Sequence, residues 1–262
     1  MKVDGRVVVV TGAGSGIGAA LAQRFAAEGA AAVVVTDRYG DAAVAVAATC
    51  VGAEGRCVGH ALALDVSDGA ALDAAIDDIE RRLGPIGLFA SNAGLGARGG
   101  AEVDDAAWQQ LWDVHVMAAV HAARVLVPRW TARGGGWLLI TASAAGLLSQ
   151  PDAPYAVTKH AAVALAEWLA IRHGGQGVGV SCLCPGAVDT PLLRAEPPGR
   201  LAAMASGQAP LSPAEVAGIV VQGLADERFL IVTDARVPDW MQRKSADVER
   251  WIRGMRRTWA GS

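Results

Sequence analysis

Val7-Val-Val-Val-Thr11-Gly12-Ala-Gly-Ser15-Gly16-Ile17-Gly18 is the stretch that decides the reading of this chain. Four consecutive β-branched residues read as a buried strand. The glycines that follow permit a tight turn and let backbone approach a pyrophosphate closely. Ile17 and Gly18 then open a helix, whose N-terminus presents free N–H groups and a dipole that favours anions. A glycine pattern alone is weak. Between a strand and a helix it is a specific signal for a dinucleotide site.

Outward from this unit, strand-like apolar runs alternate with helical patterns. Strands are expected at Arg6–Thr11, Ala32–Asp37, Val58–Leu64, Ile86–Asn92, Trp137–Thr141, Val178–Cys184 and Phe229–Thr233. Helices are expected at Gly16–Glu28, Asp41–Val51, Ala70–Leu83, Asp105–Arg133, Pro154–His173, Pro213–Asp226 and Met241–Thr258. Val/Ile/Leu strands joined by helical crossovers imply an α/β, Rossmann-like, doubly wound parallel sheet of seven strands with helices on both faces. Nothing marks an internal boundary, so residues 1–262 are expected to form a single domain. Residues 191–212 are rich in Pro and Gly and are expected to form a substrate lid. Residues 236–262 form a helical tail whose basic residues alternate with Trp251, Ile252, Met255 and Trp259. This is an amphipathic pattern with a solvated basic face.

Composition narrows the function classes. The chain has 262 residues, 52% hydrophobic, with a formal net charge of −3. That balance gives no basic surface for nucleic acid and none for an anionic membrane. No apolar run reaches about 18 residues, the length that suggests a spanning helix. The N-terminus runs straight into a strand pattern, so no signal peptide is expected. Cys50, Cys57, Cys182 and Cys184 have neither metal spacing nor disulfide-rich density. No metal is expected, and reduced thiols in a cytoplasmic protein are the default.

Each predicted strand end carries a polar or small residue suited to a cofactor. Asp37 lies about 20 residues after the glycine turn, placed to accept from adenosine ribose hydroxyls. A 2′-phosphate there would meet a like charge. NAD is therefore favoured over NADP, although Arg38 offers a guanidinium that clamps phosphates. Leu64-Asp65-Val66 brings a carboxylate within reach of an adenine amino group. Asn92-Ala93-Gly94 ends the fourth strand with small residues that suit backbone against a cofactor. Taken singly, each is an ordinary strand-to-helix cap.

Ser143 precedes Tyr155 by twelve residues, and Lys159 follows Tyr155 by one helical turn. Residues four apart share a helix face. An ammonium beside a phenol favours the phenolate and lowers the tyrosine pKa from about 10 toward the range of a general base.

With these residues assembled, the chain resembles a short-chain dehydrogenase/reductase. The match spans about residues 5 to 235 and includes Gly12 through Gly18, Asp37, Asp65, Asn92 to Gly94, Ser143, Tyr155, Lys159 and Pro185-Gly186-Ala-Val188-Asp-Thr190. The resemblance implies that Tyr155 is the acid/base. It implies that Lys159 lowers the Tyr155 pKa and holds the nicotinamide ribose, and that Ser143 binds the substrate oxygen. Pro185, Gly186, Val188 and Thr190 would hold the nicotinamide carboxamide. Two features depart from the family. His115, in Asp113-Val-His-Val-Met117, stands where an asparagine usually helps hold a water chain, and as a donor and acceptor it is suited to the same relay. The C-terminal tail replaces a glycine-rich end, which leaves dimer and tetramer both open. The long helices near Asp105–Arg133 and Pro154–His173 are the expected dimer surface.

Leu95, Leu147, Gln150, Leu192, Leu193 and Met204 are expected to line the substrate space beside Ser143 and Tyr155. Their apolar character points to a neutral secondary alcohol or ketone. An NADPH-dependent ketone reductase and a non-catalytic dinucleotide-binding regulator remain alternatives.

Overall fold

The structure is a computed structural model that describes residues 1–52, 57–197 and 209–259. Its seven strands are β1 (Val7–Thr11), β2 (Ala32–Asp37), β3 (Val58–Ala63), β4 (Ile86–Ser91), β5 (Gly136–Thr141), β6 (Val178–Cys184) and β7 (Leu230–Val232). They form one sheet in the order β3-β2-β1-β4-β5-β6-β7, and every pairing is parallel. The chain winds from β1 to β3 on one side, then crosses back to lay β4 on the other flank of β1. The carboxyl ends of β1 and β4 thus border the crevice where open α/β sheets bind ligands.

The valine run of β1 is buried along its whole length because both faces of the sheet are covered. Val7 and Val9 join a core with α3 (Gly69–Leu83), α5 (Ala118–Arg133) and α6 (Ala153–His173). Val8 and Val10 join a second core with α1 (Gly16–Ala27) and a helix at Pro213–Ala225. Alternation of side chains along a strand produces this division. Cys182 and Cys184 are buried core residues of β6 with free thiols, as expected.

The remaining helices are α2 (Gly40–Ala47), α4 (Asp105–Trp112), α7 (Pro191–Arg194), α8 (Pro213–Ala225), α9 (Val237–Ala246) and α10 (Val248–Trp259). Two expectations need correction. The helix expected over Asp105–Arg133 is interrupted by a π turn at Asp113–Met117 between α4 and α5. The tail helix expected at Met241–Thr258 is two helices that meet at Asp247. Asp247 is extended there, and its carboxylate accepts from Arg250 N–H (2.8 Å), an N-cap that starts α10 afresh. Of the expected lid, α7 and a short parallel bridge between Val188 and Leu211 are described. Residues 198–208, Met204 among them, lie outside the described residues, as do residues 260–262.

Candidate active site

The glycine turn closes tightly on its surroundings. Gly12 has φ +61°, and a Cβ there would come within 2.6 Å of Ala93 Cα. A Cβ on Gly18 would lie 2.3 Å from the Gly12 carbonyl oxygen. Ser15 precedes α1 without capping it through its side chain. The first N–H groups of α1 therefore keep their anion-binding capacity. A cavity of about 360 Å³ opens beside this turn, lined by Gly12, Gly14, Ser15, Asp37, Arg38 and Asp65 among others, with Val66, Ala93, Gly94 and Leu95 also along its wall. The Asp37 carboxylate accepts from Gly14 N–H (2.9 Å) and Tyr39 N–H (3.0 Å). The Asp65 carboxyl is held below its ordinary range chiefly by the Ser67 hydroxyl and N–H, with a smaller effect of Arg38. The free N–H groups of α1 and the two carboxylates around one cavity suit a dinucleotide.

The end of β4 is locked to β1. Thr11 Oγ1 accepts from the N–H groups of Asn92 (2.9 Å) and Ala93 (3.1 Å), and the Asn92 amide donates to the Thr11 carbonyl (3.1 Å). Asn92 Oδ1 accepts from the Thr141 hydroxyl (3.1 Å), which carries the lock on to β5. Opposite, Thr190 caps α7 by accepting from Leu193 N–H (3.3 Å). A Cβ on Gly16 would lie 3.1 Å from its methyl group. Gly186 N–H donates to the Thr233 hydroxyl (3.0 Å), and the Pro185 carbonyl accepts from Ala144 N–H (2.8 Å). The segment Pro185–Thr190 is thereby held between the glycine turn and the loop carrying Ser143.

Ser143, Tyr155 and Lys159 meet beside this frame. Lys159 is buried, and its ammonium donates to the Thr141 carbonyl (2.9 Å) and lies 5.7 Å from the Tyr155 ring centre. Burial lowers its pKa to about 8. Burial also pushes the Tyr155 hydroxyl above its ordinary value of 10, while a hydrogen bond with Ser143 pulls it back down. Desolvation thus outweighs the Ser143 hydrogen bond in this geometry.

His115 is buried in the π turn. Its Nε2 accepts from Leu95 N–H (3.0 Å), and its Nδ1 lies 2.8 Å from the Thr158 hydroxyl. The ring meets Tyr155 edge-to-face, centres 5.5 Å apart and planes at 88°. Burial holds its pKa well below the usual 6.5, and the Lys159 charge adds to this.

The expected substrate walls divide. Leu95 and Leu147 are half-buried against the core, and Gln150 is also half-buried. Leu192 is exposed and faces Gly96, where a Cβ would come within 3.0 Å of its Cδ1, whereas Leu193 turns into the interior. The ammonium of Lys244, on α9, donates to the Leu147 carbonyl (2.9 Å).

Comparison with known proteins agrees with this geometry. A family model described as short chain dehydrogenase matches residues 6–200. The chain belongs to the short-chain dehydrogenase family. A 1-deoxy-11-beta-hydroxypentalenate dehydrogenase of Streptomyces exfoliatus is 39% identical over 246 residues, which cover 90% of this chain and 86% of that one. A short-chain dehydrogenase/reductase of Burkholderia phymatum, solved with NAD, is 31% identical with a TM-score of 0.82, over 95% of this chain and 96% of the other. L-sorbose reductase of Gluconobacter frateurii, solved with NADPH and L-sorbose, is 31% identical with a TM-score of 0.78, over 89% and 97%.

As a short-chain dehydrogenase, the protein is an oxidoreductase acting on hydroxyl or keto substrates with a nicotinamide dinucleotide. Several residues of the site carry no recognisable sequence signal. Tyr39 lines the cofactor cavity, with the Arg38 guanidinium 4.7 Å over its ring and donating to its hydroxyl (2.6 Å). Gln110 and Val114 line the cavity from α4 and the π turn. Thr158 is the hydroxyl between the two family positions Tyr155 and Lys159, and only its bond to His115 marks it. Lys244 reaches the Leu147 carbonyl from 97 residues away in sequence.

Proposed function

We propose that the protein transfers hydride between NAD(H) and a neutral, apolar secondary alcohol or ketone. The observation that carries this reading is the convergence of Ser143, Tyr155 and Lys159, with Lys159 close behind Gly94, which lines the same cavity as Asp37. Asp37, Asp65 and the N–H groups of α1 hold the adenosine half. Asn92 to Gly94 support the centre, and Pro185, Gly186, Val188 and Thr190 hold the nicotinamide end. NAD would supply the hydride acceptor. Ser143 donates to the substrate oxygen, and Tyr155 takes the hydroxyl proton in oxidation or returns it in reduction. Lys159 holds the nicotinamide ribose and favours the phenolate. Leu95, Leu147, Gln150 and Leu192 give the substrate a mainly apolar setting.

Arg38 lines the same cavity and favours a second reading, an NADPH-dependent ketone reductase. Absorbance of reduced nicotinamide separates the two. NAD reduction by apolar secondary alcohols that vanishes in Tyr155→Phe supports the first reading, and turnover only with NADP moves the assignment to the second.

The outer face of α6 exposes Val157, Trp168 and Ile171, an apolar stripe on the helix expected to pair copies. It supports a homodimer. The absence of any helix long and apolar enough to cross a membrane, among the described residues, is compatible with the cytoplasmic setting proposed from the reduced cysteines.

A further inference from the structure

We infer that His115 is a fixed latch between the cofactor-side loop and the catalytic helix, locked as the Nδ1–H tautomer, and not a member of the proton path. This rests on the reading of Tyr155 and Lys159 as the proton-handling pair. A backbone N–H only donates, so the Nε2 that meets Leu95 N–H carries no proton. The proton of the neutral ring is therefore on Nδ1, which donates to Thr158 Oγ1. The Thr158 hydroxyl gives its own proton to the Pro154 carbonyl (2.8 Å), with Tyr155 O also within reach (3.1 Å). The chain of donors runs one way, from the loop after β4 through the ring to the first turn of α6.

No ring nitrogen is left over for a water. Taking up a proton at Nε2 would set two N–H groups against each other, so the ring cannot accept and release protons while the latch is closed. Gly94 stands between the two basic groups, and a Cβ there would lie 3.6 Å from both His115 Nε2 and Lys159 Nζ. Among the described residues, the charged or titratable groups facing the ring are Lys159 and Tyr155, both from α6, while the β4 loop presents the Leu95 N–H to it. The π turn sets the ring's direction, because its widened register shifts the phase of the helix at this point. An asparagine amide at this position matches the reach of Nδ1 and would remake the bond to Thr158. Only the ring also reaches the Leu95 N–H. His115 is thus a positioning residue, which sets the distance between the Asn92–Leu95 backbone and the Tyr155–Lys159 pair.

The test is nitrogen NMR of the histidine-labelled, ligand-free protein from about pH 5.5 to 9, a window that brackets the ordinary histidine pKa, with His115→Asn assigning the resonance. The expected result is a single neutral Nδ1–H tautomer that does not titrate in this range. An Nε2–H tautomer, or a ring that titrates near the pH of turnover, overturns the latch. Enzyme kinetics supply the second arm. His115→Ala should lower kcat by about tenfold to a hundredfold through misplacement. His115→Asn should lower it less, and both should leave the apparent pKa of the kcat profile where the wild type has it. A displaced apparent pKa in either variant restores the relay. An Nδ1–H signature in a protein that turns over no alcohol would instead count against the dehydrogenase reading while leaving the latch in place.

Discussion

The Asp37 carboxylate accepts from the N–H of Gly14 at 2.9 Å, so the residue proposed to read the ribose also closes the glycine turn. A Cβ on Gly14 would sit 2.8 Å from the same oxygen, so this turn position has no room for a side chain beside the carboxylate. A 2′-phosphate would have to enter against this fixed negative charge. Asp37→Ser should therefore raise the ratio of kcat/KM for NADP over NAD by about tenfold to a hundredfold, the range expected when NAD forgoes one charge-assisted hydrogen bond. Measuring both ratios in wild type and variant checks this, and an unchanged ratio would move the discriminating role to Arg38.

Tyr155→Phe keeps the ring that packs against His115 and removes only the hydroxyl. General acid–base groups contribute about 10²–10⁴ in rate. A loss of kcat in that range is expected, with NADH affinity, read by fluorescence titration, within a few-fold of wild type. A variant that retained more than a tenth of the wild-type rate would remove Tyr155 from the chemistry.

Much of the fold and the site was legible in the chain itself, for identifiable reasons. The β1 valines are covered on both faces, so the buried run and the following glycines announce strand and turn together. The positions of Asp37, Asp65 and Asn92 follow once consecutive strands end on one edge. Periodicity missed the π turn because Asp113–Met117 is too short a stretch for a change of period to show in the apolar pattern. It also missed the break at Asp247, since α9 and α10 each continue an amphipathic pattern and only a capping carboxylate separates them. Lys244 escaped because its partner, the Leu147 carbonyl, is settled by tertiary placement, and Tyr39 because only tertiary placement brings it to the cavity wall.

Lys159 gives a stability signature independent of turnover. Its folded pKa, about 8, lies below the 10.5 of an unperturbed lysine, so between these values the unfolded chain binds more protons than the folded one. The cost of burying the ammonium is thus fully present below pH 8 and is relieved as pH rises from about 8 to 10.5. Lys159→Met should be stabilised relative to wild type by at most about 3 kcal/mol below pH 8, less whatever the missing bond to Thr141 contributes. That advantage should shrink steadily above pH 8. Denaturant unfolding at about pH 7 and about pH 10, on either side of this window, measures it. A difference that grew with pH would contradict the assignment.

His115 has the same sign and a different window. Its folded pKa is held well below 6.5, so the folded protein binds fewer protons than the unfolded chain once pH falls under that value. Stability is unaffected above about pH 7.5 and is lost as pH falls through 6.5, by up to about 1.4 kcal/mol for each further unit. His115→Asn removes the titrating ring and keeps a polar group at the reach of Nδ1, toward Thr158. The variant should therefore lose less stability than wild type between about pH 7 and 5. The difference between their denaturation free energies should be flat above about pH 7.5 and should change steadily below about 6.5. The curve reports burial of a neutral imidazole in the folded chain and needs neither cofactor nor substrate. Parallel curves for the two proteins across this interval would mean that the ring takes up its proton in the folded state, and that Leu95 N–H is not bonded to it.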